Sequence, residues 1–432
     1  MSDIGKVGLK DVIKNPIRDF GSFSLTNLIN FVESGIPFIK SEAIQNGYID
    51  FSQLAFITEE VHKLLSKSIV NKGDVLFTKI GAIGRGAIYD GRLGVCNSNA
   101  ASAKITINEV VANSSFILHI LLSEETKRFF EKRIISTPPR LNLKDLYELR
   151  FPMPVNTIEQ DKIASILTTI DCVIERTEAA IEKYKSIKQG MMQDLFTRGI
   201  DAKTGKLRPK HEDAPELYKK TKLGLIPKEW EITNNLISTY IKGRIGWEGL
   251  KASEFISEGP HLVTGTDLIN GKVNWSTCYH IGELRFQEAP SIHLQNDDLL
   301  ITKDGSIGKT AIVENCPQKA ILNSGLFVLR CKDESYYNKF LYYILNTEIF
   351  YSHLRKTQGG STINHLYQRE FEKFEFPIPH KSEQMEIINT LINLEKKIWQ
   401  EENYLSKMKY IKNGLMQDLL TGKKRVKVEY GS

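Results

Sequence analysis

The 432-residue sequence has few cysteines and no long apolar run. The five cysteines, Cys96, Cys172, Cys278, Cys316 and Cys331, are odd in number and nowhere spaced as Cys-x-x-Cys, so neither a disulfide framework nor a zinc site is indicated. No window supplies the roughly 20 apolar residues of a membrane span, and the N-terminus has no apolar core of a signal peptide. We therefore expect a cytoplasmic protein without a membrane-spanning segment.

The sequence also lacks the motifs of common enzyme classes. It contains no GxGxxG, HExxH or GxSxG, and Asn15-Pro16-Ile17 does not match the Asn-Pro-Pro-aromatic motif of amino-methyltransferases. The segment from Gly305 to Thr310 invites comparison with a P-loop, but a P-loop has four residues between its glycines and this segment has two. A turn at the end of a strand is the interpretation we favour. We assign no catalytic residue, no metal ligand and no cofactor.

The charge balance is mildly basic. The chain has 58 Lys and Arg against 52 Asp and Glu, a formal charge of +6. This excess permits a nucleic-acid partner without demonstrating one.

The chain is an internal duplication. Three windows align at one common offset: 45–51 with 269–275, 73–85 with 297–309, and 190–197 with 414–421. One position further along, 151–154 (FPMP) aligns with 376–379 (FPIP). A repeat this long, which spans about half of the chain, is a duplicated domain rather than a solenoid, whose repeats have about 20 to 50 residues.

Each copy ends in a long helix with a narrow apolar seam. Apolar residues recur in alternating steps of four and three, which is typical of a coiled coil rather than of a helix lying on its own domain. The seam of the first helix comprises Ile163, Leu167, Ile170, Ile174, Ile181, Tyr184, Met191 and Leu195. The seam of the second comprises Ile387, Leu391, Leu394, Ile398, Leu405, Met408, Leu415 and Leu419. Polar positions 177 and 401 and lysines 188 and 412 interrupt the two seams at matching places.

The segments before the helices alternate β-branched runs with turn signals such as Asn46-Gly47 and Asn270-Gly271. They predict two strand-rich α+β modules. The full set of predicted segments is a first module (1–150), a helical region (151–199), a linker (200–222), a second module (223–375), a helical region (376–426) and a tail (427–432).

Basic residues recur at equivalent places in the two modules, as Lys79 with Lys303 and Arg85 with Lys309. They suit contacts with phosphates, although ordinary solvated surface residues would show the same pattern. The loops 136–141 and 358–366 add hydroxyl, amide and basic groups suited to phosphates or base edges, and they would serve equally as caps and turns. Their candidate contact residues are Arg140, Thr362 and His365.

The order and duplication of these motifs resemble a known family. Phe-Pro-(Met/Ile)-Pro, then Glu159-Gln160 or Glu383-Gln384 opening a long helix, and Gly-x-Met-Gln-Asp-Leu closing it occur twice, and Gly224-Leu-Ile-Pro-Lys-Glu-Trp230 introduces the second module. Together they resemble the specificity subunit of type I restriction-modification systems over essentially the whole chain. The first module lacks a counterpart of Ile-Pro-Lys-Glu-Trp, which leaves open how its N-terminal edge pairs.

The resemblance implies two target-recognition domains related by pseudo-twofold symmetry, each reading one half of a bipartite, asymmetric site in double-stranded DNA. It also implies that the two helices form an antiparallel coiled coil that spaces the domains and docks two methyltransferase subunits, with endonuclease subunits joining them. Catalysis then belongs to the partner chains, and this chain is not an enzyme.

Two other functions remain open from the residues alone. A methyltransferase or nuclease with unrecognised motifs predicts methyl transfer or cleavage by the isolated chain. A coiled-coil adaptor for proteins only predicts that reversing the charge of Lys79 and Lys303 leaves the DNA affinity of the assembly unchanged.

Overall fold

The computed structural model describes residues 4–20, 25, 29–134, 137–201, 203–244, 250–357 and 365–427. The chain forms two compact units: unit 1 comprises Met1–Ala180 and Glu401–Ser432, and unit 2 comprises Ile181–Gln400. Each unit therefore holds one strand-rich module and a part of both long helices. Over the described residues, no helix combines the length and the apolar character needed to span a membrane.

The first module mixes short strands and short helices. Its strands are β1 (Ile4–Gly8), β2 (Ile36–Ile39), β3 (Ala55–Ile57), β4 (Ile69–Val70), β5 (Val75–Thr78), β6 (Gly86–Ile88), β7 (Cys96–Ser98), β8 (Ser102–Ile105) and β9 (Arg150–Pro154). Its helices are α1 (Glu59–Leu64), α2 (Ser114–Leu121), α3 (Glu124–Glu131) and α4 (Leu143–Tyr147). The strands form the sheets β3-β2-β7-β4 and β6-β5-β8 and the pair β1-β9. The first long helix, α5 (Thr157–Thr197), follows.

The second module repeats this mixture. Its strands, with those of the preceding connection, are β10 (Ile200–Asp201), β11 (Lys206–Leu207), β12 (Tyr218–Thr221), β13 (Gly224–Pro227), β14 (Glu231–Asn234), β15 (Thr239–Lys242), β16 (Phe255–Val263), β17 (Leu268–Ile269), β18 (Lys272–Val273), β19 (Tyr279–Ile281), β20 (Leu299–Thr302), β21 (Thr310–Ile312), β22 (Ala320–Leu322), β23 (Leu326–Cys331) and β24 (Glu375–Ile378). Its helices are α6 (Asn235–Ser238), α7 (Glu283–Gln287), α8 (Asn338–Ile344), α9 (Glu348–Thr357) and α10 (Gln368–Glu372), and the second long helix is α11 (Lys381–Leu420). The sheets are β15-β23-β20-β21-β18-β17 and β19-β16-β22, with the pairs β10-β11, β12-β13 and β14-β24.

Two GxxG segments, in which two residues separate a pair of glycines at 81–84 and 305–308, each follow a strand buried on both faces. All four residues of β5 and all four of β20 are buried, which explains why Val75–Thr78 and Leu299–Thr302 are nearly continuous apolar runs. Each strand lies between two neighbours in its sheet, β5 between β6 and β8 and β20 between β23 and β21. The turns that follow these strands are therefore held on rigid central elements.

The N-terminal edge of the first module pairs as the corresponding edge of the second does. Val7 of β1 faces Phe151 of β9 in an antiparallel register, and Thr233 of β14 faces Phe376 of β24. The Ile-Pro-Lys-Glu-Trp segment is therefore not needed for this pairing. Trp230 is instead fully buried, and its indole Nε1 donates to Glu383 at 3.1 Å.

Both long helices bury the predicted seam. All sixteen apolar seam positions and the interrupting residues at 177, 188, 401 and 412 are buried or half-buried. In unit 1, Leu167 near the start of α5 shares a core with Leu419 near the end of α11. In unit 2, Leu195 near the end of α5 shares a core with Leu391 near the start of α11. The predicted antiparallel coiled coil is confirmed.

A glutamine clamps the start of each long helix to its own module. The Gln160 side chain accepts from the Asn113 amide at 2.9 Å and donates to the Pro154 carbonyl at 2.8 Å. Gln384 accepts from the Tyr337 amide at 3.1 Å and donates to the Pro379 carbonyl at 3.0 Å. Both glutamines are fully buried. The Glu-Gln pair of the sequence motif thus has a structural role.

The neighbouring glutamate is held by an arginine in each unit. Glu159 and Glu383 are both 3% exposed. Arg425, after α11, donates to both carboxylate oxygens of Glu159 at 2.5 Å. Arg208, after α5, donates to both oxygens of Glu383, one of them at 3.0 Å. These bidentate pairs fix each helix start against the segment that follows the other helix.

The lysines in the seams pair with carboxylates. In unit 1, Lys412 lies 2.6 Å from Asp171, and His119 of α2 lies 3.8 Å from the same carboxylate. In unit 2, Lys188 lies 2.8 Å from Glu395, which also accepts from the Tyr343 hydroxyl at 3.0 Å. A polar group at a seam position fixes the register of a coiled coil. In both units a lysine of one helix thus pairs with a carboxylate of the other, and in unit 2 the module is also bonded to that carboxylate through Tyr343.

Candidate nucleic-acid interface

The first GxxG segment forms a compact turn, turn 1 (residues 78–85). The Thr78 hydroxyl donates to the Ala82 carbonyl at 2.7 Å and accepts from the Arg85 amide at 2.9 Å. Gly81 and Gly84 have φ angles of 75° and 95°, a conformation that favours glycine. A Cβ built on Gly81 would meet no atom within 4 Å, so this part of the turn faces open space.

The second segment forms the same structure, turn 2 (residues 302–309). The Thr302 hydroxyl donates to the Ser306 carbonyl and accepts from the Lys309 amide at 3.0 Å. Gly305 and Gly308 have φ angles of 69° and 82°, and a Cβ on Gly305 would also meet no atom within 4 Å. This segment is therefore the strand-end turn that the sequence favoured over a P-loop, because the Thr302 hydroxyl bonds to backbone groups of the turn itself.

The two predicted loops meet these turns. The Leu141 amide donates to the Lys79 carbonyl at 2.8 Å, and the Leu366 amide donates to the Lys303 carbonyl at 2.8 Å. Arg140 is exposed beside turn 1. His365 is half-buried beside turn 2, where its ring contacts the Asp304 carboxylate. The predicted contact residue Thr362 lies outside the described residues.

Arg85 and Lys309 occupy equivalent positions. The Arg85 guanidinium donates to the Ser41 carbonyl at 2.9 Å, and the Lys309 ammonium donates to the Gly265 carbonyl at 3.2 Å. Ser41 and Gly265 correspond to each other in the repeat, as the two cations do. Each turn thus carries a cation anchored on the same neighbouring loop of its own module.

Lys79 and Lys303, which the sequence places in equivalent positions, differ in environment. Lys79 is 2% exposed, and its ammonium lies 3.1 Å from the Asp19 carboxylate. Lys303 is half-buried, with its ammonium 4.9 Å from the centre of the Phe327 ring. Gly243 corresponds to Asp19 in the repeat, so the second module has no carboxylate at that point. The charge of Lys303 is therefore available to a ligand, and that of Lys79 is largely neutralised.

Three of the five cysteines have raised thiol pKa values. Burial raises the pKa of Cys96 and Cys316 to about 11 and that of Cys278 to about 12, so these thiols are protonated at neutral pH. Among the described residues, no group of three or more His, Cys, Asp or Glu has the geometry to hold a metal ion.

The sequence pattern did not single out Asn142 and Tyr367, two exposed residues next to Leu141 and Leu366. The repeat contained a signal for them, because Leu141 aligns with Leu366 while the flanking residues differ. The ion pair of Asp19 with Lys79 was not predicted either, since nothing in the sequence links this carboxylate to a lysine far along the chain.

Two strand-rich modules, each carrying an outward turn with a cation and each followed by one of two paired helices, define a duplicated recognition scaffold. The family of type I restriction modification DNA specificity domains matches residues 1–184 and 251–409. This chain belongs to that family.

Relatives match over nearly the whole chain. A putative type I restriction enzyme MjaX specificity subunit of Methanocaldococcus jannaschii is 26% identical over 97% of this chain and 93% of its own. The MjaVIII specificity subunit of the same organism is 24% identical over 95% of this chain and 94% of its own.

Solved structures share the fold. The S subunit of a type I restriction-modification system from M. genitalium has a TM-score of 0.58 at 15% identity, covering 97% of this chain and 96% of its own. A chain from a structural study of complex assembly in a type I system has a TM-score of 0.54 at 15% identity, covering 98% of each chain.

Proposed function

We propose that this chain is the DNA specificity subunit of a type I restriction-modification complex and acts in the cytoplasm. Each module reads one half of a bipartite, asymmetric site in double-stranded DNA. The two helices set the distance between the half-sites and dock two methyltransferase subunits, which endonuclease subunits join. The chain itself is non-catalytic.

The observation that carries this proposal is the repetition of one framework with different exposed groups. Turn 1 and turn 2 share their hydrogen bonds, their glycine conformations and an anchored cation. The residues beside them differ in chemistry. A scaffold built twice with different exposed groups suits two ligands that are alike in one part and different in another. Two stretches of duplex DNA fit this description, because their phosphates are the same and their bases differ.

The helices offer a surface for partner subunits outside their seam. Met385, Ile392 and Trp399 follow one another at seven-residue intervals on α11 and are 38%, 39% and 63% exposed. Seven-residue spacing places them along one face of the helix. Since the predicted seam residues are themselves buried or half-buried, we propose this exposed apolar face as the part of unit 2 that binds a methyltransferase subunit.

Selection from randomised duplex DNA by the chain together with its methyltransferase partner tests the proposal. We expect enrichment of two short motifs separated by a fixed number of unspecified base pairs, and binding that weakens with salt because cations on the protein displace counterions from phosphates. A complex that enriches no sequence would overturn the proposal.

The two turn lysines provide a matched pair for this assay. Lys303→Met should lower affinity for all sequences about 3- to 10-fold and reduce the log-log salt slope by about one, because one phosphate contact is lost. Lys79→Met combined with Asp19→Asn, which removes both charges of the pair, should leave the slope unchanged, since the pair carries no net charge. Circular dichroism would verify that both variants are folded. Equal slopes for Lys303→Met and the unmodified chain would exclude Lys303 as a phosphate contact.

A further inference from the structure

Each module pins one leucine next to its turn. Leu141 and Leu366 are 0% and 1% exposed, and their amides donate to the carbonyls of Lys79 and Lys303. Both the side chain and the backbone of these leucines are therefore fixed. Of the residues on either side of these leucines, Arg140, Asn142 and Tyr367 are exposed and His365 is half-buried, and each pair lies next to its turn.

In module 1 the flanking residues are Arg140 and Asn142, and both are exposed. Arg140 forms a backbone bridge with Ile80 inside turn 1. Asn142 precedes α4, and its amide donates to the Asp145 carboxylate at 2.8 Å. The backbone of both residues is thus held, and both remain exposed to solvent.

In module 2 the flanking residues are His365 and Tyr367. His365 forms the corresponding backbone bridge with Asp304 inside turn 2. Tyr367 precedes α10 and is 64% exposed, and its ring centre lies 4.6 Å from that of His365. The ring of Tyr367 thus presents an aromatic surface to solvent from a backbone held beside turn 2.

The residues that flank the leucine differ in chemistry between the two modules, whereas the hydrogen bonds of the two turns are the same. Arginine and asparagine are the side chains that form two hydrogen bonds with guanine and adenine edges in the major groove. An exposed aromatic ring instead stacks on bases or enters between base steps. The turns, whose hydrogen bonds are the same in both modules, suit phosphates, which are the same in every sequence.

We infer that the residues flanking the pinned leucine, Arg140 with Asn142 and His365 with Tyr367, are the base-reading pair of each module. Asn142 and Tyr367 are thereby specificity-determining residues. This inference rests on the proposed function, because it assigns to particular side chains the reading of a half-site. The turns position the DNA, and these pairs select its sequence.

The test is an exchange of pairs in the full chain bound to its methyltransferase partner. The variant His365→Arg with Tyr367→Asn gives module 2 the pair of module 1, and Lys303→Met serves as the control for a phosphate contact. Selection from randomised duplex DNA is followed by sequencing. We expect the double variant to change base preference about 10- to 100-fold at one or two positions of the second half-site, with the first half-site and the spacing unchanged.

The possible outcomes distinguish a failure of this inference from a failure of the proposed function. If the double variant enriches the same second half-site as the unmodified chain, or loses affinity equally for all sequences while remaining folded, the pair does not read bases and the inference is wrong, whereas the proposed function stands. If the unmodified complex enriches no sequence, the proposed function fails as well. Tyr367→Phe, which keeps the ring, should retain the original preference if stacking is its role, and Tyr367→Ala should lose it.

Discussion

Unit 1 and unit 2 achieve the same architecture with different side chains. A carboxylate between the two helices is Asp171 in one unit and Glu395 in the other, and the group that reaches it from the module is His119 or Tyr343. The hydroxyl of Tyr343 bonds directly to the Glu395 carboxylate at 3.0 Å, whereas the ring of His119 lies 3.8 Å from that of Asp171.

The difference shows which features the fold requires. Both units keep an ion pair between a carboxylate of one helix and a lysine of the other. The module residue beside that carboxylate changes from histidine to tyrosine. The arginines that hold the helix starts also come from positions that do not correspond, because Arg208 and Arg425 do not align with each other in the repeat. Each unit therefore keeps an arginine contact to the glutamate at its helix start, but the arginine comes from a different position in the chain.

The equivalence of the units predicts that the first half of the chain can pair with a copy of itself. In a fragment ending near Gly199, Lys188 of a second copy can take the place of Lys412 beside Asp171. We expect a symmetric dimer that, with methyltransferase subunits, recognises a palindrome built from the first half-site. Light scattering measures the mass of the fragment. A fragment that stays strictly monomeric at high concentration would show that a second copy of α5 cannot replace α11.

The glutamate contacts sharpen this prediction. The fragment 1–199 lacks an arginine for Glu159, but the longer fragment 1–213 retains Arg208, which a second copy can direct to Glu159 as it is directed to Glu383 in the intact chain. We expect the longer fragment to dimerise at least about tenfold more tightly, because a buried carboxylate regains its partner. Equal dissociation constants would show that Arg208 cannot serve both glutamates.

The two arginines should differ in their effect on stability. The side chain of Arg208 is 7% exposed and that of Arg425 is 33% exposed. Arg208→Met should lower the free energy of unfolding by about 3 kcal/mol, since it leaves Glu383 buried without its cation, and Arg425→Met by about 1 to 2 kcal/mol. Urea denaturation compares them. A larger loss for Arg425→Met would contradict the ranking by burial.

His119 gives unit 1 a pH dependence that unit 2 lacks at this position. Burial lowers the pKa of His119 from 6.5 to about 4, so the unfolded chain binds more protons between these pH values and stability falls as the pH drops from 6.5 to 4. Between pH 7.5 and 5.0 the loss should be about 2 kcal/mol. The pKa of Tyr343 is raised by burial, so its hydroxyl stays neutral throughout this range.

The matched variant is His119→Tyr, which gives unit 1 the residue of unit 2. Hydrogen exchange of the α2 amides at increasing urea concentration, at pH 7.5 and 5.0, reports the stability of unit 1. We expect the acid-induced loss to be smaller in the variant than in the unmodified chain by about 2 kcal/mol. Parallel pH dependences in the two proteins would show that another group is responsible.

The sequence predicted the parts of this structure that depend on periodicity and repetition. The seams from Ile163 to Leu195 and from Ile387 to Leu419 follow from four-three spacing, and the two GxxG turns follow from their alignment. The neutralisation of Lys79 by Asp19 could not be predicted, because it depends on a fold that brings distant residues together. The arginine contacts escaped prediction for another reason, since the two arginines do not align in the repeat.

The central claim is that two modules read the two halves of one site, and sequencing of methylated bases tests it most directly. The comparison is between DNA modified by the complex of the unmodified chain and DNA modified by a complex in which residues 1–150 are replaced by the equivalent module of a relative. We predict a bipartite motif for the first, and for the second a motif with only one half changed and the same spacing. A single continuous motif, or a replacement that alters both halves, would contradict the account.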